Sequence, residues 1–224
     1  MIRWFNGFDK DESIAAYVLA HSIHTRSSIP VSITFINRDT LRGLFKRKRS
    51  EVESTDFSIS RFLTPYLCNY EGWAVFSDCD MLVRDDPAKL WAWRDDRYSV
   101  QVVKHHHQPL ETVKFLGNQQ TRYEKKNWSS VVLFNNAKCK ALSLDYVNHA
   151  SGLDLHQFKW LGDDQLIGDL PAQWNHLVDY DTYDSKASLV HFTEGGPYFE
   201  EYQNCEYNED WLSEQFSMEH VKSK

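Results

Sequence analysis

Apolar positions recur at two different periods in the first third of the chain, and the change of period marks out its elements. Ile2-Arg3-Trp4-Phe5-Asn6-Gly7-Phe8 is a dense apolar run closed by a glycine, which predicts a strand. Asp9 to Ser13 supplies the acidic residues that favour a helix start, and Ile14 to Arg26 repeats its apolar positions at helical spacing. Pro30 breaks the chain before Val31-Ser32-Ile33-Thr34-Phe35-Ile36, which is β-branched and strand-like. Strand, helix, strand predicts a βαβ unit and hence a parallel sheet.

Residues 37–55 are polar and carry one basic run, Lys46-Arg47-Lys48-Arg49, readable as a solvated loop or as a flap beside a phosphate-bearing ligand. Phe57 to Cys68 has helical periodicity, kinked or shortened at Pro65. Two apolar bursts follow, Trp73-Ala74-Val75-Phe76 and Met81-Leu82-Val83, on either side of Ser77-Asp78-Cys79-Asp80. Tyr98 to Val103 and Ser130 to Phe134 read as strands, Lys138 to Ala150 as a helix, 151–170 as mixed loop and helix, and Leu189 to Phe192 as a late short strand. No repeat, linker or low-complexity tract intervenes. The expectation is one α/β domain over 1–224, built on a mostly parallel central sheet, with a C-terminal helical tail over 199–224.

Composition narrows the function. Lys and Arg number 25 against 32 Asp and Glu, a net charge of −7, which argues against a dedicated nucleic-acid binder. Apolar runs such as Ile14 to Ala20 are too short to span a bilayer, and no secretory signal is visible, so a cytoplasmic location is expected. Cys68, Cys79, Cys139 and Cys205 are widely spaced, which predicts reduced structural thiols. The 8 Trp, 11 Tyr and 13 Phe suit a core and equally suit stacking on sugars and bases.

Three Asp-x-Asp patterns occur, and context separates them. Asp9/Asp11 lies where a helix begins, where acidic residues complement the helix dipole. Asp179/Asp181 lies in a polar, Tyr-rich turn. Asp78/Asp80 is flanked by apolar runs on both sides, so its carboxylates fall at the end of a buried strand, where they are costly unless neutralised. A hard divalent ion, Mg²⁺ or Mn²⁺, shared with phosphate oxygens is the natural partner, and open parallel sheets bind ligands at this edge.

Residues 54–63 followed by Trp73 to Val83 resemble glycosyltransferases of the GT-A fold, and are most similar to family 8, the type of glycogenin and of bacterial lipopolysaccharide galactosyltransferases. Asn127 to Asn135, Leu161 to Ile167, Leu170-Pro171-Ala172-Gln173-Trp174-Asn175 and Val190-His191-Phe192 with Gly195-Gly196-Pro197-Tyr198 resemble further motifs of that family in its order. The resemblance spans roughly residues 2–198 and implies transfer of a sugar, with retention, from a nucleotide-sugar donor such as a UDP-sugar to a glycan or other hydroxyl acceptor. It implies Mn²⁺ or Mg²⁺ held by Asp78, Asp80 and His191, and donor contacts from Gly7, Phe8, Asp9, Arg61 and Asp78. Either Asp164 or Gln165 would stand beside the anomeric carbon. Gly196 falls where the family has a phosphate-contacting lysine, and Ser130 replaces the family's glycine; Lys104, Lys126 or the basic run are the available substitutes for that charge.

Two rivals stay open. A nucleotidyltransferase making sugar nucleotides would normally show a Gly-rich basic loop, whereas Asn6-Gly7-Phe8-Asp9-Lys10 has one glycine. A glycan-binding module without turnover is the second. His105-His106-His107 reads as a polar loop near the acceptor cleft rather than a zinc site, because consecutive side chains on an extended chain alternate faces. Asn127-Trp128-Ser129 fits a glycosylation acceptor pattern that a cytosolic chain would not use.

Overall fold

In the computed structural model the chain is described over residues 1–50, 53–106 and 124–220. The opening βαβ unit is present as β1 (Ile2–Phe8), α1 (Ser13–Arg26) and β2 (Val31–Asn37). After it come α2 (Thr64–Leu67), β3 (Trp73–Ser77), β4 (Met81–Val83), α3 (Pro87–Ala92), β5 (Val100–Val102) and β6 (Val131–Asn135). The remainder holds α4 (Leu144–His149), α5 (Gly152–His156), β7 (Ile167–Asp169), β8 (His176–Leu177), β9 (Leu189–His191) and α6 (Asn208–Glu219).

Six strands form a sheet in the order β2-β1-β3-β6-β5-β7. Pairings β1–β2, β1–β3 and β5–β7 are parallel, and β6 runs antiparallel to both its neighbours. Five strands therefore point the same way and end on one edge. Period-two alternation sends Ala74 and Phe76 to one face and Val75 to the other, while β6 sends Val132 and Phe134 to the first face and Val131 and Leu133 to the second. Both faces are covered, as a mostly parallel sheet requires. One core contains Phe57, Phe62 and Leu155; the opposite one contains Trp4, Leu19 and Ile23 from α1.

The second apolar burst does not extend the large sheet. β4 joins a separate three-stranded sheet, β4-β9-β8, which packs with α1 and α6 around Val18, Phe192 and Trp211. Only part of the periodic stretch Phe57 to Cys68 is α-helical. A 3-10 turn over Ser60–Leu63 leads into α2, and Pro65 lies in the first turn of α2, where its missing N–H costs nothing. Lys138 to Ala150 is helical only from Leu144, because Ser143 caps the helix there by accepting from the Tyr146 N–H. The tail helix is anchored by buried Trp211 and by Glu214, whose carboxylate meets Arg26 at 2.6 Å and His21 at 2.5 Å. The four cysteines are free thiols, and burial pushes that of Cys139 up to about 12. Among the described residues no helix is long and apolar enough to cross a membrane.

Gly7 allows β1 to lie against the segment that follows residue 54. A Cβ at this position would sit 2.4 Å from the Phe57 ring, itself wholly buried. Gly7→Ala is expected to lower stability by about 1–3 kcal/mol through overpacking, measured by urea denaturation, and Phe57→Leu in the same chain is expected to recover part of the loss.

Candidate functional site

The common edge where the parallel strands end carries the acidic pair. β3 stops at Ser77, and the Asp78 N–H donates to the Ser130 carbonyl at 2.9 Å, which ties the turn to the start of β6. Cys79 points inward and is fully buried, so Asp78 and Asp80 share the other side. The antiparallel register of β4 and β9 then sets Met81 opposite His191, and the Phe192 N–H donates to the Asp80 carbonyl at 2.9 Å. Strand pairing thus delivers a histidine from far along the chain to the residue beside Asp80. One ligand atom each from Asp78, Asp80 and His191 lie within 4.8 Å of one another, and His191 Nε2 stands 3.4 Å from Asp80 Oδ1.

Hydrogen bonding fixes which imidazole nitrogen faces the acids. The Ser130 hydroxyl donates to the Asn127 carbonyl, so its oxygen accepts from Asn175 Nδ2 at 3.1 Å; the same Nδ2 donates to the Asn127 carbonyl at 3.2 Å. That orientation turns Asn175 Oδ1 toward His191 Nδ1 at 3.0 Å. An amide oxygen only accepts, so Nδ1 carries a proton and Nε2 is the ring nitrogen that faces Asp80. A histidine whose other nitrogen is held by an oxygen acceptor is also the usual second-shell pattern of a metal ligand.

Arg61 brings a positive charge into direct contact with Asp78. Its Nη1 lies 2.6 Å from Asp78 Oδ1 and 3.0 Å from the Ser129 carbonyl, and its Nε lies 3.0 Å from the Ser58 carbonyl. The Phe57 and Phe76 rings flank the guanidinium at 5.2 and 5.1 Å. Two carboxylates and an imidazole nitrogen are donors that suit Mn²⁺, and with less preference for the nitrogen Mg²⁺, so the residues present fit a divalent ion.

These side chains open into a cavity of about 430 Å³. Lys126, His156, Ser58, Ser129, Ser130 and Thr193 share its lining with Arg61. His156 and Asn175 were not legible as site residues. Asn175 lay inside a recognised motif without a role, and His156 sits in a stretch whose pattern is mixed. His156 Nδ1 is hydrogen bonded to Ser129 Oγ at 2.7 Å, and its ring meets Phe62 edge-on. Burial, with Arg61 and Lys126 nearby, pushes the imidazole well below the usual histidine range. Its folded value lies below the unfolded one near ~6.5, so the unfolded chain binds the extra proton first. Stability is therefore fully present above about pH 6.5 and falls as pH drops toward the folded value. His156→Gln is expected to flatten that acid limb in chemical denaturation series at different pH.

Gly7, Phe8, Asp9, Asp164, Gln165 and Gly196 are not among the residues that line this cavity. Phe8 packs edge-on against Tyr17 and Phe35. Asp9 accepts from the Asp11 and Asp56 N–H groups at 3.0 and 2.9 Å, so its carboxylate caps one turn and fastens another. Gly7, Phe8 and Asp9 do not line the cavity. Asp164 and Gln165 precede β7, whose parallel register with β5 starts at Ile167 opposite Val100, and they do not line the cavity. Asp164 is exposed and pairs with Lys125 Nζ at 2.5 Å, and it lines a separate cavity of about 260 Å³. A Cβ at Gly196 would lie 2.3 Å from the Tyr198 ring, whose hydroxyl donates to Glu12 Oε1 at 2.9 Å, so no larger side chain fits there. Lys104 pairs with Asp169 at 3.1 Å, while Arg47 of the basic run lines the cavity. The His105 carbonyl accepts from Trp128 Nε1 at 2.8 Å; His107 lies outside the described residues.

No family model matches the chain. Protein CDI of Arabidopsis thaliana is 46% identical to it over 221 residues, 95% of this chain and 85% of that protein. Among solved structures, the apo bifunctional glycosyltransferase WbbM superposes with a TM-score of 0.66 at 14% identity, covering 96% of this chain and 50% of that one. The galactosyltransferase LgtC, in complex with donor and acceptor sugar analogs, gives 0.62 at 12% identity over 99% and 98% of the two chains. Apo GlyE of Streptococcus pneumoniae TIGR4 gives 0.62 at 14% identity over 96% and 60%. The chain thus spans about half the length of WbbM and three fifths of GlyE. The sheet has the GT-A fold of these glycosyltransferases, and by its likeness to Protein CDI along nearly its whole length the chain belongs to the family of that Arabidopsis protein.

Proposed function

We propose that this protein is a glycosyltransferase that takes a sugar from a nucleoside-diphosphate donor, a UDP-sugar, with Mn²⁺ or Mg²⁺, and passes it to a hydroxyl of a glycan or other acceptor, with retention of configuration. The observation that carries the reading is the convergence of Asp78, Asp80 and His191 in one cavity, with Nε2 of His191 facing Asp80. The fold shared with LgtC, solved with donor and acceptor sugar analogs, supports it.

Asp78, Asp80 and His191 would hold the ion. Bound there, the ion supplies Lewis-acid stabilisation of the diphosphate leaving group. Arg61 keeps Asp78 oriented and offsets its charge before any ligand arrives, so the site is organised in advance. Asn175 holds the His191 ring in one tautomer.

A second reading, donor or glycan binding without turnover, is favoured by one observation: Asp164 and Gln165 stand outside the cavity. A panel of nucleotide-sugars incubated with Mn²⁺ and scored for released nucleoside diphosphate separates the two. Release from one donor, lost with EDTA, is expected. Binding without release supports the second reading, and pyrophosphate release from a nucleoside triphosphate and a sugar phosphate contradicts both.

A further inference from the structure

We infer that Glu12 and Tyr198 form a positioning pair that holds the two ligand-bearing segments of the Asp78–Asp80–His191 site together and so sets its affinity for a divalent ion. The inference rests on the metal-dependent reading above. Glu12 stands at the start of α1 and is wholly buried, and its side chain makes no capping bond to that helix. A buried carboxylate is costly unless it is hydrogen bonded. Glu12 Oε1 accepts from the Tyr198 hydroxyl at 2.9 Å, and Oε2 accepts from Cys79 Sγ at 3.9 Å. Cys79 separates Asp78 from Asp80, and Tyr198 lies in the turn that follows His191 at the end of β9. One carboxylate thus reaches both segments from which the three ligands come.

Backbone bonds join the same two segments elsewhere. The Phe192 N–H donates to the Asp80 carbonyl at 2.9 Å, and the Gly195 N–H donates to the Phe192 carbonyl at 3.0 Å, which turns the chain toward Tyr198. Gly196 leaves room for the Tyr198 ring, whose centroid lies 5.3 Å from that of Trp211 on α6. Burial, with Glu12 and Asp80 nearby, pushes the Tyr198 phenol well above its usual range. Burial, with Glu12, Asp80 and Asp78 nearby, does the same to the Cys79 thiol. Both groups keep their protons and act as donors to Glu12. Repulsion between Asp78 and Asp80 works to open the turn that joins them, and the bond from Cys79 to Glu12 opposes that motion from the buried side. The bond from Tyr198 to the same carboxylate fastens the chain leaving His191. Partners that orient ligands in this way tune the affinity of a metal site without touching the ion.

Mn²⁺ titrations followed by electron paramagnetic resonance, with melting temperatures of the metal-free proteins, test the inference. Glu12→Gln keeps the shape and an acceptor for Tyr198 but loses the acceptor for Cys79, and it is expected to weaken Mn²⁺ binding about 10–100-fold. Tyr198→Phe keeps the ring against Trp211 and removes the donor, and it is expected to weaken Mn²⁺ binding about tenfold. Glu214→Gln removes the charge that faces Arg26 and His21 on α1. It is expected to lower the melting temperature and to leave Mn²⁺ affinity within about threefold of wild type. Wild-type Mn²⁺ affinity in either Glu12→Gln or Tyr198→Phe, measured on folded protein, overturns the inference; if Glu12→Gln does not fold, Tyr198→Phe decides. A loss in Glu214→Gln as large as that in Glu12→Gln overturns it in favour of general loosening. Absence of Mn²⁺ binding by the wild-type protein overturns the metal-dependent reading itself, and the inference with it.

Discussion

Asp80→Asn is expected to keep the fold and to abolish the thermal stabilisation that Mn²⁺ and UDP together give the wild-type protein. Asparagine has the same shape, and the bond that ties this residue to β9 uses its backbone carbonyl rather than its side chain. What disappears is one of the two negative charges beside His191. Ligand at about a hundred times its dissociation constant stabilises a protein by about 2.7 kcal/mol, which for a chain of this length is about 5–10 °C in melting temperature. Loss of a second-shell partner of a metal ligand already costs about 10–100-fold in metal affinity, so loss of a ligand is expected to cost more than about 100-fold. At the same concentrations the shift then falls to about 1 °C or less. A full shift in Asp80→Asn, by differential scanning fluorimetry, contradicts the site.

Arg61→Leu is expected to destabilise the protein severely whether or not ligand is present. The guanidinium is almost wholly buried, meets Asp78 at 2.6 Å, and satisfies two carbonyls between two aromatic rings. Leucine fills part of the volume and leaves Asp78 beside Asp80 with its contacting charge removed. Breaking a buried pair from one side costs about 3–5 kcal/mol, which here lowers the melting temperature by about 10 °C or more. Asp78→Asn added to Arg61→Leu is expected to recover part of that cost, since the stranded charge is then gone. Additive losses in that double-mutant cycle contradict the pairing.

The first strand, first helix and second strand were legible because each has a single clear period and a hard boundary: Gly7-Phe8, the acidic start before Ile14, and Pro30. Elements whose limits depend on capping or on distant partners were not. The helix expected from Lys138 begins only at Leu144, because the Ser143 side chain captures a backbone N–H that periodicity does not register. Met81 to Val83 reads as one more strand, but its partner β9 follows much later, and nothing local announces a second sheet. The same long-range pairing explains why Asp78, Asp80 and His191 could be named from a resemblance yet assembled only by the fold. Asp164 and Gln165 show the converse. Their order along the chain is that of the resembling motif, while in the fold they are not among the residues that line the cavity. Asn175 closes a resembling motif that gives it no role, and His156 carries no sequence signal; their roles come from what the turn at Asn127 and Ser129 brings to them.

The central claim is that Asp78, Asp80 and His191 together hold one divalent ion in the cavity. Titration of Mn²⁺ followed by electron paramagnetic resonance, in the presence of UDP, measures this directly through loss of the free-ion signal. One ion bound per chain by the wild-type protein, and none at the same concentrations by His191→Ala or Asp80→Asn, is the expected result. Equal Mn²⁺ binding by all three proteins, or none by the wild type, contradicts it.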